Sequence, residues 1–117
     1  SNMWILFHND NCSKSRAAHQ YLTDLGVEFE VINYLETPPT VAELENILQK
    51  LSLNIDDIIR RNEAPFELVE GHWETLDEGQ KIAYVATHPI LIQRPIIVNG
   101  DRAVIGRPLE AMDQLRD

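Results

Sequence analysis

An apolar run, a helix-length amphipathic stretch and a second strand-like run succeed one another within the first 34 residues, and this order constrains the fold more than any other feature. The segment Met3 to Phe7 reads as a buried strand, with Trp4-Ile5-Leu6-Phe7 as its continuous apolar run. From Ser13 to Leu25, the residues Ala17, Ala18, Tyr21, Leu22 and Leu25 recur at helical spacing, and Gly26 supplies the stop. Between Glu28 and Tyr34, Phe29 and Val31 alternate with polar neighbours, as in a strand with one buried face. Strand, helix, strand in that order is a βαβ unit, and its right-handed crossover makes the two strands parallel.

The middle of the chain is helical. Pro38-Pro39 breaks the chain, and Thr40-Val41-Ala42-Glu43 has the form of a capping box. Val41, Leu44, Ile47, Leu48 and Leu51 then share one helix face. Asn54 is placed to cap a short helix with Ile55, Ile58 and Ile59 inward, ending near Arg60-Arg61. Pro65 and Gly71 frame an irregular stretch, and Thr75-Leu76-Asp77-Glu78 repeats the capping form before a helix ending near His88-Pro89. Beyond it, Pro95-Ile96-Ile97-Val98 reads as a strand and Asn99-Gly100 as a hairpin turn, with Ala103-Val104-Ile105 returning antiparallel. Gly106 ends that strand, and Pro108 suits the first turn of a last helix directing Leu109, Met112 and Leu115 to the core. The expected class is therefore α/β: a thioredoxin-like fold with a mixed four-stranded sheet, β-α-β then β-β-α, forming a single domain over 3–117 with a helical insertion at about 40–89.

Composition excludes several functions. At 117 residues the chain is long enough to bury a core without covalent staples. One cysteine excludes an intramolecular disulfide and points to a reducing, cytoplasmic setting. No apolar run is long enough for a membrane span and no leader is evident; Ser1-Asn2 before Met3 reads as a remnant of tag removal. A formal net charge of -9 argues against nonspecific nucleic-acid binding and against an anionic membrane surface. Neither metal-ligand spacing nor a glycine-rich nucleotide loop is present, so no bound cofactor is expected. The acids are spread along the helices and read as solvating charge.

The chemistry centres on Cys12. It stands where the first strand gives way, through His8-Asn9-Asp10-Asn11, to the helix beginning at Ser13. A thiol at a helix N-terminus faces unpaired backbone N–H groups and the positive end of the helix dipole, which favour the thiolate and attract oxyanions. Ser15 completes a Cys-x-x-Ser pair, so a hydroxyl stands where a dithiol oxidoreductase has its resolving thiol. Lys14 and Arg16 add local positive charge, and a protonated His8 would depress the thiol further. The residue six after Cys12 is Ala18, which excludes the Cys-x5-Arg phosphatase pattern.

Of ten basic residues, seven are arginine, the side chain suited to holding tetrahedral oxyanions. Arg94 and Arg107 each precede a proline, Pro95 and Pro108, which holds both backbones extended at strand ends. Arg60 ends an apolar segment of the insertion, and Arg61 is the more surface-directed of that pair. Two readings stand: the three guanidinium groups converge on the sulfur and neutralise an anion there, or they are separate surface residues paired with the many acids. Spacing alone favours the second.

Together, His8-Asn9-x-x-Cys12-x-x-Ser15-Arg16, Tyr34-Leu35-Glu36-Thr37-Pro38-Pro39, Arg60-Arg61-Asn62, the run from His88 to Val98 and Gly106-Arg107-Pro108 resemble the glutaredoxin-linked arsenate reductase family (ArsC-type), a thioredoxin-fold group that includes the Spx regulators. The resemblance covers nearly the whole chain from Met3. It implies that Cys12 is the nucleophile, that Arg60, Arg94 and Arg107 bind the oxyanion, that His8 and Ser15 tune or orient the thiol, and that Pro95 follows a cis bond facing it. It further implies a three-thiol reaction: Cys12 attacks arsenate, water leaves, glutathione attacks the bound arsenic, and glutaredoxin resolves the adduct to release arsenite. Alternatives are a monothiol glutaredoxin-like oxidoreductase acting on glutathione mixed disulfides, and a regulator binding RNA polymerase. This chain departs from the family pattern at Asp10, where proline is usual, and at Ser13, where glycine is common. A carboxylate at position 10 should raise the thiol pKa. Stopping at Asp117, the sequence resembles the short branch of the family.

Overall fold

β1 (Trp4–His8) is the strand on which the rest of its sheet is built. In the computed structural model, which describes residues 3–117, it pairs in parallel with β2 (Phe29–Asn33) on one side and antiparallel with β3 (Ile96–Asn99) on the other. β4 (Arg102–Ile105) completes a mixed four-stranded sheet of order β2-β1-β3-β4. The βαβ unit and the antiparallel hairpin are as the sequence predicts. Ser1 and Asn2, the expected tag remnant, lie outside the described residues.

Two compact units are formed. The first comprises residues up to Thr37 together with Arg94–Asp117 and contains the sheet; the second is Pro38–Gln93. In the first, α1 (Ser13–Leu25) ends on Gly26, whose φ of 74° is the left-handed conformation of a helix C-cap. Trp4 and Leu6 of β1, Ala18 and Leu22 of α1, Ile97 of β3, and Met112 and Leu115 near the C-terminus form one core cluster. Val31 is 43% exposed on β2, an edge strand of the sheet.

The hairpin turn is shifted by one residue from its expected place. Asn99 pairs with Arg102, so Gly100 and Asp101 are the two central residues, with Gly100 at φ 64° in the leading position that needs glycine. The last helical segment, Leu109–Leu115, is a 3₁₀ helix and not an α-helix. Its apolar residues fall at every third position, the repeat of three residues per turn. Its C-terminal carbonyls are satisfied by the hairpin: Asn99 Nδ2 donates to Leu115 O at 2.7 Å, and Arg102 donates to Gln114 O and Leu115 O at 2.8 and 2.9 Å.

Gly106 is required for close packing. A Cβ there would stand 3.0 Å from both Ile97 Cδ1 and Pro95 Cγ, atoms of buried residues with little room to retreat. Gly106→Ala is expected to destabilise the protein by about 1–3 kcal/mol. Urea unfolding should show a lower midpoint at unchanged slope; an unchanged midpoint would mean that this contact relaxes freely.

In the second unit, α2 (Val41–Leu51) begins with the expected capping box, Glu43 N–H donating to Thr40 Oγ1 at 3.1 Å and Thr40 N–H to Glu43 Oε1 at 2.9 Å. The segment after Asn54 is a single 3₁₀ turn, Ile55–Asp57. The stretch between Pro65 and Gly71, expected to be irregular, contains α3 (Ala64–Glu67) and the start of a 3₁₀ helix, Glu70–Thr75. Short helical turns there carry Phe66 and Trp73 inward, rings 5.2 Å apart. α4 (Glu78–Thr87) is capped by Asp77, not Thr75: Gln80 stands three residues on, and the two exchange hydrogen bonds of 2.8 and 3.0 Å. Asp56 accepts from Trp73 Nε1 at 2.7 Å, Lys81 Nζ at 2.7 Å and Arg61 at 2.9 Å. This carboxylate is therefore a structural hub and not a solvating charge. Burial opposes its ionisation, but Lys81, Trp73 and Arg61 together hold its pKa below the usual carboxylate range.

Candidate functional site

Cys12 is the N-cap of α1, with extended backbone (φ -112°, ψ 120°), and it is 7% exposed. The turn that delivers it is built by Asn9, whose carbonyl accepts from Cys12 N–H at 3.0 Å and whose Oδ1 accepts from Asn11 N–H at 2.9 Å. An asparagine side chain closing a turn on its own backbone is what makes this strand-to-helix junction tight. Arg16 steadies it from the helix side, donating to Asp10 O at 2.8 Å.

The thiol is perturbed toward ionisation. Burial alone pushes its pKa up and is the largest single influence. It is outweighed by a hydrogen bond from the Arg94 guanidinium, by the backbone N–H groups of Ser15 and Lys14, and by the charge of Arg94, so the pKa falls from 9.0 to about 7. At neutral pH about half the molecules carry the thiolate. The helix terminus thus accounts for part of the effect, and an arginine 82 positions away in sequence supplies the largest lowering influence.

Arg94 is presented by the residue pair that opens β3. The Arg94–Pro95 bond is cis, as the resemblance implies, and Arg107–Pro108 is cis as well. Arg107 Nε donates to Arg94 O at 2.7 Å, which ties the two pre-proline residues together. Within this unit, Cys12 and Arg94 are in contact, and Arg107 is bonded to the Arg94 backbone. Arg60 belongs to the second unit. It does not end a helix: Ile59 forms an antiparallel bridge with Ile92, and Arg60 N–H donates to Leu91 O at 2.8 Å. Its guanidinium pairs with Glu63. Arg61 is the more exposed of the pair, lying over the Phe66 ring at 5.1 Å.

The supporting residues His8 and Ser15 are both buried. His8 is buried and its Nε2 lies 2.8 Å from Asp10 Oδ1. The departure at position 10 therefore engages the histidine, and the thiol pKa is lowered in its presence. Ser15 is fully buried; its backbone N–H favours the thiolate, while its Oγ has no hydrogen-bond partner among the described residues. Tyr34, which the sequence offers only as part of a motif, is 1% exposed beside Arg94, Asn9 and Cys12. Burial raises its phenol pKa and Arg94 and Asn9 offset this only in part, so it stands as a neutral donor beside the guanidinium. Its place one residue beyond β2, next to the end of β1 that leads to Cys12, is the signal that could have found it.

Among the described residues no group of three or more His, Cys, Asp and Glu side chains is arranged to hold a metal ion, and no helix is long and apolar enough to cross a membrane. The arrangement is suited to one kind of chemistry. A sulfur nucleophile half ionised at neutral pH, surrounded by cationic and N–H donors, can attack an oxyanion centre and stabilise the charge that develops on its oxygens.

Residues 7–115 match the ArsC family. An arsenate reductase of Neisseria meningitidis serogroup A is 38% identical over 92% of this chain and 93% of its own length. An arsenate reductase of Escherichia coli is 34% identical over 96% of this chain and 79% of its own length. Among solved structures, an arsenate reductase from Vibrio cholerae superposes with a TM-score of 0.93 at 35% identity, covering 99% of both chains.

Proposed function

The chain belongs to the ArsC family, and we propose that it is an arsenate reductase: an oxidoreductase that converts arsenate to arsenite with Cys12 as nucleophile and external thiols as the electron source. The observation that carries this reading is the Cys12 thiolate at the N-terminus of α1 with the Arg94 guanidinium against it. The arsenate reductases among its relatives support the choice of oxyanion.

This reading implies a definite sequence of bonds. The thiolate attacks arsenic and an arsenate oxygen leaves as water after protonation, giving a Cys12–S–As(V) ester. Arg94 and the N–H groups of Lys14 and Ser15 are donors facing that sulfur, and Arg107 brings a second guanidinium within one hydrogen bond of the Arg94 backbone. For Arg60 the proposal rests on its motif, and one nitrogen of its guanidinium is already paired with Glu63. Glutathione then bonds to arsenic through sulfur, and its proton leaves with a second arsenic-bound hydroxyl as water. The thiolate of glutaredoxin attacks the glutathione sulfur, an S–S bond forms, and the S–As pair stays on arsenic, which falls from As(V) to As(III). Hydrolysis of the Cys12–As(III) bond releases arsenite and restores the thiol. Each turnover consumes two external thiols, which a chain with one cysteine must take from outside, in a reducing compartment.

Purified protein with arsenate, glutathione, glutaredoxin and an NADPH-recycling system is expected to oxidise NADPH in an arsenate-dependent manner, and omitting either thiol donor should stop it. If turnover is absent while the fold is intact and the thiol reactive, the glutaredoxin-like or regulatory reading replaces this one.

A further inference from the structure

A depression of about 390 Å³ lies within the sheet-containing unit, lined by Lys14 and Ala17 of α1 and by Gly106, Arg107, Pro108 and Leu109. Its size is in the range of small-molecule sites, roughly 300–1,000 Å³. It adjoins the chemistry through Lys14, whose backbone N–H favours the Cys12 thiolate while the residue forms part of the wall. The charge of the lining is opposite to that of the protein. The chain carries a net -9, yet no acid lines the depression and two cations do. Lys14 forms no ion pair among the described residues, and Arg107 commits only its Nε, to the Arg94 carbonyl. Two cations without carboxylate partners in so acidic a chain, set around the apolar surface of Ala17, Pro108 and Leu109, are complementary to a small organic anion.

We propose that this depression seats the first external thiol, a small thiol bearing carboxylates, with Lys14 holding a carboxylate so that the sulfur is directed to Cys12 and Arg107 adding positive charge to the wall while its outer nitrogens stay with the oxyanion. The proposal rests on the thiol-dependent reading above and adds to it the seat of the co-substrate. The seated thiol forms an S–As bond to the Cys12-bound arsenic, and its proton departs with an arsenic hydroxyl as water. Arsenic stays As(V) in this step. Lys14 is a specificity-determining residue here, because its side-chain charge selects an anionic thiol over a neutral one.

The same seat can be read without arsenate. The Cys12 thiolate attacks glutathione disulfide, forming a Cys12–glutathione S–S bond and expelling the other half as thiolate; uncharged 2-hydroxyethyl disulfide undergoes the same exchange. In stopped-flow measurements, Lys14→Gln, which keeps the backbone N–H and introduces no carboxylate, is expected to slow exchange with glutathione disulfide about fivefold, and to leave hydroxyethyl disulfide within about twofold. Ala17→Phe, which fills the depression from a partly exposed helix position, should give the same selective loss. Equal slowing of both disulfides would mean that Lys14 acts only on the thiol, and unchanged rates, or no reaction of wild type with glutathione disulfide, would remove the seat. Selective loss in a protein without arsenate turnover would keep the seat and end the arsenate reading. Arsenate turnover with an unchanged KM for glutathione in Lys14→Gln would do the reverse.

Discussion

Cys12→Ser is expected to abolish arsenate turnover, on the order of a thousandfold or more, while leaving the fold and equilibrium oxyanion binding in place. The groups facing position 12 are all donors: the Arg94 guanidinium and the backbone N–H groups of Ser15 and Lys14. They act by favouring an anion, and they lower a thiol from 9.0 to about 7. The same help given to a serine hydroxyl, a far weaker acid, leaves almost no alkoxide at neutral pH, and none of these groups is a base that could take its proton. Sulfur also takes part in the reduction as one of the thiols bound to arsenic, a role that oxygen cannot fill. The donors themselves are untouched by the substitution, so calorimetric titration with sulfate or arsenate should give an affinity within about threefold of wild type. Normal turnover by the serine variant would remove the mechanism at its first step.

Much of this was legible in the sequence, and the parts that were not share a physical reason. The βαβ unit, α1 with its Gly26 stop and α2 with its Thr40 cap are local: hydrophobic period and capping chemistry act within a few residues of each other. Cys12 at a helix N-terminus was legible for the same reason. What local pattern does not carry is pairing across the fold. Arg94 reaches Cys12 because β3 inserts beside β1, a consequence of strand order that no spacing encodes. Tyr34 joins them because β2 is parallel to β1. Asp56 read as one acid among many, and only the folded second unit brings Trp73, Lys81 and Arg61 to it. The two turn errors have a narrower origin. Both Asn99-Gly100 and Thr75-Leu76-Asp77-Glu78 offered competing placements one or two residues apart, and register with Arg102 in one case and Gln80 in the other decided between them.

Arg94→Ala is expected to separate the two tasks assigned to this guanidinium. As the largest influence lowering the Cys12 pKa, its loss leaves burial opposed mainly by the Ser15 and Lys14 N–H groups, and the inflection near 7 should rise by about 1–2 units. Thiolate absorbance and the pH profile of iodoacetamide alkylation would read that shift directly. At pH 7 the thiolate fraction then falls about five- to fiftyfold, but a more basic sulfur is also more nucleophilic, with a Brønsted slope of about 0.4–0.5, so alkylation slows only about two- to eightfold. Arsenate reduction should fall much further, by about 100-fold or more, because the same guanidinium faces the charge that builds on the arsenate oxygens. A loss in kcat/KM no larger than the loss in alkylation would mean that Arg94 acts only by ionising Cys12, and its oxyanion role would be withdrawn. Arg94→Lys gives the intermediate case: it keeps the charge and lowers the thiol in part, but lacks the fork needed to bridge sulfur and oxyanion. Stability supplies an independent reading with a definite sign. The folded thiol ionises below its unfolded value, so the thiolate stabilises the fold most above pH 9.0, and that contribution is lost as pH falls through about 7. Wild type should therefore gain stability between pH 7 and 9 relative to Cys12→Ser, and Arg94→Ala should gain less of it, because its thiol ionises closer to where the unfolded chain does.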